Sequence, residues 1–211
     1  MPQNAVRGLA VLAGWIMSAA APPPGLADDL SVGAQRYAVC AACHGVDGMG
    51  QPDGFAPVIA AQHESVLLRQ MRDYRDGTRW DPRMEHVVQL RSVSRPEDLA
   101  AVAAFVARMD ASRPAVRGSG RNLDTGARAY FQQCAACHGA TGQGSAARAV
   151  PRLAGQHAAY LQRQVLDAVE GRRPLLRATH GAMFSRLSAD SLDGLTDYLA
   201  LNARRGDGAP R

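Results

Sequence analysis

The sequence predicts an all-α protein built from two copies of one small helical domain. Three observations carry that expectation. Sliding the chain by 94 residues superposes residues 40–77 on 134–171 without a gap, and 17 of those 38 positions are identical. Apolar residues in both halves recur at helical spacing, and no stretch alternates as a strand would. The pentapeptide Cys-Ala-Ala-Cys-His occurs twice, at Cys40–His44 and at Cys134–His138.

The elements follow in order. Residues 1–27 combine one positive charge at Arg7, an apolar run through Leu9, Val11, Leu12, Trp15, Ile16 and Met17, and small residues at Gly25-Leu26-Ala27, the pattern of a cleaved secretory leader. The run is too short to span a bilayer comfortably. A first helix, with Val32, Tyr37 and Val39 on its apolar side, runs into the first Cys-Ala-Ala-Cys-His. A glycine-rich loop follows, then a helix from near Ser65 carrying Val66, Leu67 and Met71, with Gly77 placed to end it. A polar segment containing Pro82 leads to a closing helix, opened by the capping-box pattern Ser94-Arg95-Pro96-Glu97 and carrying Leu99, Val102, Ala103, Phe105 and Val106. The second copy repeats the plan, with Tyr130 and Phe131, then Tyr160, Leu161, Val165 and Val169 ended by Gly171, then Leu192, Leu195, Tyr198 and Leu199. Between the copies, residues 111–120 are rich in Pro, Gly, Ser and Arg and read as a linker. The expected division is a leader at 1–27, domain one at 28–110, the linker at 111–120 and domain two at 121–205.

C-x-x-C-H is the spacing at which two thiols add to the vinyl groups of one haem while the adjacent histidine turns back to ligate its iron. A redox dithiol would need neither the histidine nor the second copy, and a four-cysteine zinc site would leave two histidines in matching positions unused. The sequence therefore predicts two covalently bound haem c groups, held by Cys40, Cys43, Cys134 and Cys137, with His44 and His138 as iron ligands. Haem is attached outside the cytoplasm, so the leader and the haem motifs call for the same destination, the periplasm. Composition agrees with a haem protein. Only 5% of residues are aromatic, little for two cores of about 85 residues each, and a haem plate supplies apolar area that such small domains lack. The net charge of +5 comes from a chain with 24 basic residues, all arginine. Four haem propionates offset most of it, so the charge makes no case for nucleic acid or an anionic membrane, and no nucleic-acid partner is expected.

These residues resemble those of the dihaem cytochrome c4 family, two class I cytochrome c domains in tandem. The resemblance covers residues 29–203 and rests on the two Cys-Ala-Ala-Cys-His-Gly motifs, on the segments 55–62 and 150–156, which resemble a P-x-L-A-G-Q loop, and on the amphipathic closing helices. Ala61 departs from that loop's glycine. The resemblance implies that the Pro57 and Pro151 carbonyls accept the second imidazole N–H of His44 and His138. It also implies a methionine as the sixth iron ligand. Met84 lies 40 residues after His44 and Met183 lies 45 after His138, so the spacings disagree, whereas His86 and His180 each lie 42 residues after the haem histidine of their own copy. Met84 and Met183 are the expected ligands, with His86 and His180 as their competitors. Met49 reads as a loop residue, Met71 and Met109 as residues inside helices, and His63 and His157 as structural.

With both axial positions filled by protein, the expected function is one-electron transfer without catalysis. The chain reads as a periplasmic carrier between a quinol-oxidising complex or dehydrogenase and a terminal oxidase or reductase, with no membrane span once matured. Its partners would be redox proteins. Two alternatives are a dedicated cytochrome subunit of a periplasmic dehydrogenase and a small dihaem peroxidase, the latter needing an iron able to lose its sixth ligand.

Overall fold

The computed structural model describes residues 26–111, 115 and 118–201. The expected leader up to residue 25 lies outside them, as do residues 112–114, 116 and 117 of the expected linker. The first half contains α1 (Leu26–His44), α2 (Glu64–Arg75), α3 (Pro82–Val88) and α4 (Pro96–Ala107). The second contains α5 (Leu123–Gln133), α6 (Ala135–His138), α7 (Ala158–Val169), α8 (Pro174–Phe184) and α9 (Ala189–Leu201). Among the described residues there is no strand, only an isolated antiparallel bridge between Ser145 and Val150. No described helix is long and apolar enough to cross a membrane.

In each half the opening helix crosses the closing helix, α1 on α4 and α5 on α9, and the middle helix packs on the closing one. The crossings are too close for a side chain. A Cβ at Gly33 would lie 2.2 Å from the Ala101 carbonyl oxygen, and one at Gly126 would lie 2.0 Å from the Gly194 backbone. Around the first crossing, Tyr37, Leu67, Val88, Leu99, Val102 and Val106 form a buried cluster. The second cluster is smaller, with Tyr130, Cys134, Leu161, Leu195 and Leu199.

Three details differ from the sequence expectation. The polar segments before the closing helices are themselves helical, as α3 and α8. Each begins at a proline, which the first turn of a helix tolerates because its N–H would have no partner there, and Asp81 caps α3 by accepting the Arg83 N–H at 3.1 Å. The Ser94 capping box is not used. α4 starts at Pro96 with Arg95 as its N-cap and without a side-chain cap bond, and the buried Asp98 carboxylate instead accepts from Arg95 Nε at 2.8 Å and Arg36 Nε at 3.1 Å, tying α4 to α1. Met109 lies beyond the end of α4, where its sulfur packs near Gly48.

The repeat also carries a one-residue insertion. Tyr37 precedes Cys40 by three residues, whereas Tyr130 precedes Cys134 by four. Both hydroxyls donate to the carbonyl that follows their haem motif, Tyr37 to Gly45 at 2.6 Å and Tyr130 to Gly139. The second copy keeps this anchor by breaking its helix at Cys134, with φ −115° and ψ −36°, so that α5 and α6 replace the continuous α1.

Ala61 sits at φ +53°, and its counterpart Gly155 at +63°. The left-handed conformation costs a residue with a Cβ about 1–2 kcal/mol, partly offset by the greater freedom glycine has in the unfolded chain, about 0.5–1 kcal/mol. Ala61→Gly is therefore expected to stabilise the first half by about 0.5–1 kcal/mol, read as a raised midpoint in thermal or denaturant unfolding of the haem-loaded protein.

Candidate functional site

The cysteine and histidine of each motif are placed by the end of one helix and by the turn that follows it. In the first half, α1 carries Cys40, Cys43 and His44 into a cleft with a largely apolar lining. Gly50 N–H bonds the His44 carbonyl at 2.8 Å, and a Cβ at Gly50, whose φ is +64°, would lie 2.3 Å from the Ala56 carbonyl oxygen. The glycine therefore lets the loop fold under the histidine. In the second half Gly144 does the same under His138, at 2.8 Å and φ +71°.

His44 Nδ1 lies 3.0 Å from the Pro57 carbonyl, and His138 Nδ1 lies 3.0 Å from that of Pro151. Each Nδ1–H donates to its carbonyl, so Nε2 is the nitrogen left for a metal. Burial lowers the pKa of both imidazoles and keeps them in the neutral form that ligates. Burial likewise pushes the Cys40 and Cys134 thiols up to about 11, with their partner cysteines adding to the rise. Neither is a reactive thiolate at neutral pH, contrary to what a redox dithiol requires.

α3 places Met84 in the same cleft as Cys40, Cys43 and His44, with Val39, Ile59 and Leu67 among the apolar residues around them. His86, two residues on and on the opposite side of α3, is exposed. α8 behaves differently. The ring of its His180 stands 6.2 Å from that of His138, centroid to centroid, while Met183 is half-buried nearly one turn further along the helix.

The first cleft is closed by the other half of the molecule. Tyr160, Arg163, Gln164 and Asp167, all on α7, line it together with Arg79. Arg79 is 4% exposed, lies over the Tyr74 ring at 4.4 Å, and donates to the Tyr160 hydroxyl at 2.9 Å and to Gln164 Oε1 at 2.8 Å. Arg173 Nη1 shares Gln164 Oε1 at 2.8 Å, and its pKa is lowered to about 10 by burial and then by repulsion from Arg79. Two guanidinium groups drawn together beside a cleft with an apolar wall suit a cofactor that has an apolar plate and carboxylate arms.

Reciprocal bonds join the halves. The Gln156 side chain pairs with both backbone groups of Val58 at 2.8 Å, and the Gln62 side chain pairs with both backbone groups of Arg152 at 2.9 Å. His63 Nε2–H donates to the Gln143 carbonyl and His157 Nε2–H to that of Met49, both at 2.8 Å. All of these residues are related by the 94-residue shift. His63 and His157 are thus structural, as expected, but the structure they hold is the domain boundary. Sequence reasoning missed that boundary role, missed Arg79, and placed Tyr160 only on the apolar side of its helix without its contact to Arg79. The exact repetition of Gln-His at both helix starts was the available signal, as was the recurrence of Arg79 as Arg173 at the 94-residue shift, whereas Tyr160 has Val66 as its counterpart.

Two haem motifs, each with a carbonyl-oriented histidine and an apolar setting, define a dihaem c-type cytochrome. The family model for cytochrome c matches residues 31–110 and again 123–200. Cytochrome c4 of Pseudomonas aeruginosa is 37% identical over 153 residues, 70% of this chain and 74% of that one. The thiosulfate dehydrogenase electron acceptor of Stutzerimonas stutzeri is 32% identical over 171 residues, covering 76% and 77%. Among solved structures, reduced recombinant cytochrome c4 from Pseudomonas stutzeri superposes with a TM-score of 0.72 at 27% identity, covering 83% of this chain and 98% of that one. Thiosulfate dehydrogenase from Marichromatium purpuratum gives 0.67 at 28% identity, covering 82% of this chain and 40% of that one. The chain belongs to the cytochrome c4 family of dihaem electron-transfer proteins.

Proposed function

We propose that this protein is a periplasmic carrier of single electrons between a quinol-oxidising complex or dehydrogenase and a terminal oxidase or reductase. Cys40, Cys43, Cys134 and Cys137 bind the haems as thioethers, and His44 and His138 ligate the irons. Met84 completes the first site. On the second, the expected ligand Met183 and its competitor His180 both lie on α8. The leader is removed after residue 27, and the two domains divide at the linker, residues 111–120.

The observation that supports the reading is that the histidine of each haem motif has a second candidate ligand near it. Met84 shares its cleft with His44, and α8 sets a ligating ring opposite His138. A haem so held supplies reversible one-electron chemistry. The protein orients His44 and His138 through Pro57 and Pro151 and closes the first cleft with α7 of the other domain. Pro57 and Pro151 are sequence neighbours of Val58 and Arg152, the residues clasped by the opposite glutamines. The same two backbone segments therefore orient the haem histidines and join the domains, a short covalent and hydrogen-bonded route between the sites.

The likeness to thiosulfate dehydrogenase electron acceptors supports a second reading, a dedicated acceptor for one periplasmic dehydrogenase. Stopped-flow mixing of the oxidised two-haem protein with quinol-fed membranes, and separately with thiosulfate and its dehydrogenase, distinguishes the two. A general carrier is reduced by the membranes and reoxidised by the terminal oxidase. Reduction by the dehydrogenase alone would favour the dedicated acceptor, and no reduction by either would overturn both.

A further inference from the structure

We infer that the two haems are ligated differently: the second iron is held between two imidazoles, His138 and His180, and not by Met183. The inference rests on His138 being the second haem's histidine ligand. Its ring and that of His180 are 6.2 Å apart, tilted by 52°. Two metal–imidazole bonds of roughly 2 Å and two ring radii of roughly 1 Å span about 6 Å, so the separation is that of a pair of rings sharing one metal. Both rings present the same nitrogen. His138 Nδ1–H is engaged by Pro151 at 3.0 Å. His180 Nδ1 is 2.6 Å from Thr179 Oγ1. Nε2 is therefore the free nitrogen of His180. Phe184, one turn on, stacks on the His180 ring at 5.4 Å and 25° and fixes its plane.

The first half has no such pair. His86 keeps the spacing of His180 from its haem motif, but α3 turns it to solvent and sets Met84 in the cleft instead. α3 starts 38 residues after His44, whereas α8 starts 36 after His138, so equal spacing from the motif does not mean equal position on the helix. Met84 is the third residue of α3 and His180 the seventh of α8, four apart and hence on the same helical face. His86, as the fifth residue of α3, falls on the other side.

Unequal ligands give unequal potentials. A thioether favours ferrous iron more than a second imidazole does, which puts the first haem above the second. Electrons delivered to the protein therefore settle on the first domain, and the second haem is the one from which they move inward.

The test is the sulfur-to-iron charge-transfer band of the ferric, two-haem protein, with intact mass confirming both haems. If His180 is the ligand, Met84→Leu removes the band entirely, Met183→Leu leaves it unchanged, and potentiometry of the wild type resolves two one-electron steps. His180→Met, if it folds, is expected to double the band and raise the lower step. Half of the band surviving in Met84→Leu, or half being lost in Met183→Leu, would overturn the inference while leaving the two-haem carrier intact. A protein whose mass shows fewer than two haems would instead break the reading on which the inference rests.

Discussion

Replacing Cys134 and Cys137 together by alanine is expected to give a protein with one covalent haem and an unfolded second domain. The buried apolar cluster there has five residues, one of them Cys134 itself. A haem that hides roughly 400 Å² of apolar surface contributes on the order of 10 kcal/mol. That is comparable with the entire net stability of a domain of this size, about 5–15 kcal/mol. The first domain has a larger cluster and its own haem motif, and it is expected to remain folded. Intact mass should show one haem lost of two, and near-UV circular dichroism should lose the aromatic signal of Tyr130 and Tyr198, whose rings pack 5.6 Å apart. A variant that retains both domains by limited proteolysis would show that the helices close without the cofactor.

The double variant Gln62→Ala and Gln156→Ala is expected to undo the domain boundary while leaving both haems in place. Each glutamine satisfies one backbone N–H and one carbonyl of the opposite domain, at 2.8 or 2.9 Å, and both side chains are buried. Removing both strands four backbone groups, at about 1–3 kcal/mol each if they stay buried. The domains separate to avoid that cost, which sums to about 4–12 kcal/mol. Thermal unfolding should split into two transitions, and the radius of gyration in solution should increase. Because α7 closes the first cleft, the first haem should also become more exposed, with its potential shifted relative to the wild type. A single unchanged transition would mean that Arg79, Tyr160 and Arg163 carry the boundary without the glutamines.

Local chemistry was the legible part of this molecule. Two thiols and a histidine at fixed spacing announce a haem site wherever they stand, and the 94-residue repeat, with its glycines Gly77 and Gly171 past the ends of α2 and α7, announces the domain that holds it. The glycine requirement at position 61 was also visible, as a departure, before its φ of +53° gave the reason. The rest depended on long-range placement. α3 is seven residues long, too short for an apolar period to register. Ser94 matches a capping box, but Pro96 sets the helix start and Asp98 is drawn into an ion pair with α1. Arg79 meets Tyr160 and Gln164 across more than 80 residues of sequence, and no local pattern encodes such a meeting. The competition between Met183 and His180 is of the same kind, since spacing counts residues and ligation depends on which face of a helix turns inward.

The central claim is that both irons are held on both sides by the protein, so that the molecule passes electrons and does not bind substrate at the metal. Carbon monoxide added to the fully reduced two-haem protein tests this most directly, because it binds ferrous haem only where a coordination position is free or readily vacated. The account predicts an unchanged haem absorption spectrum for the wild type and a one-haem shift for Met84→Ala. A wild-type spectrum that shifts on adding carbon monoxide would contradict it and point to a peroxidase.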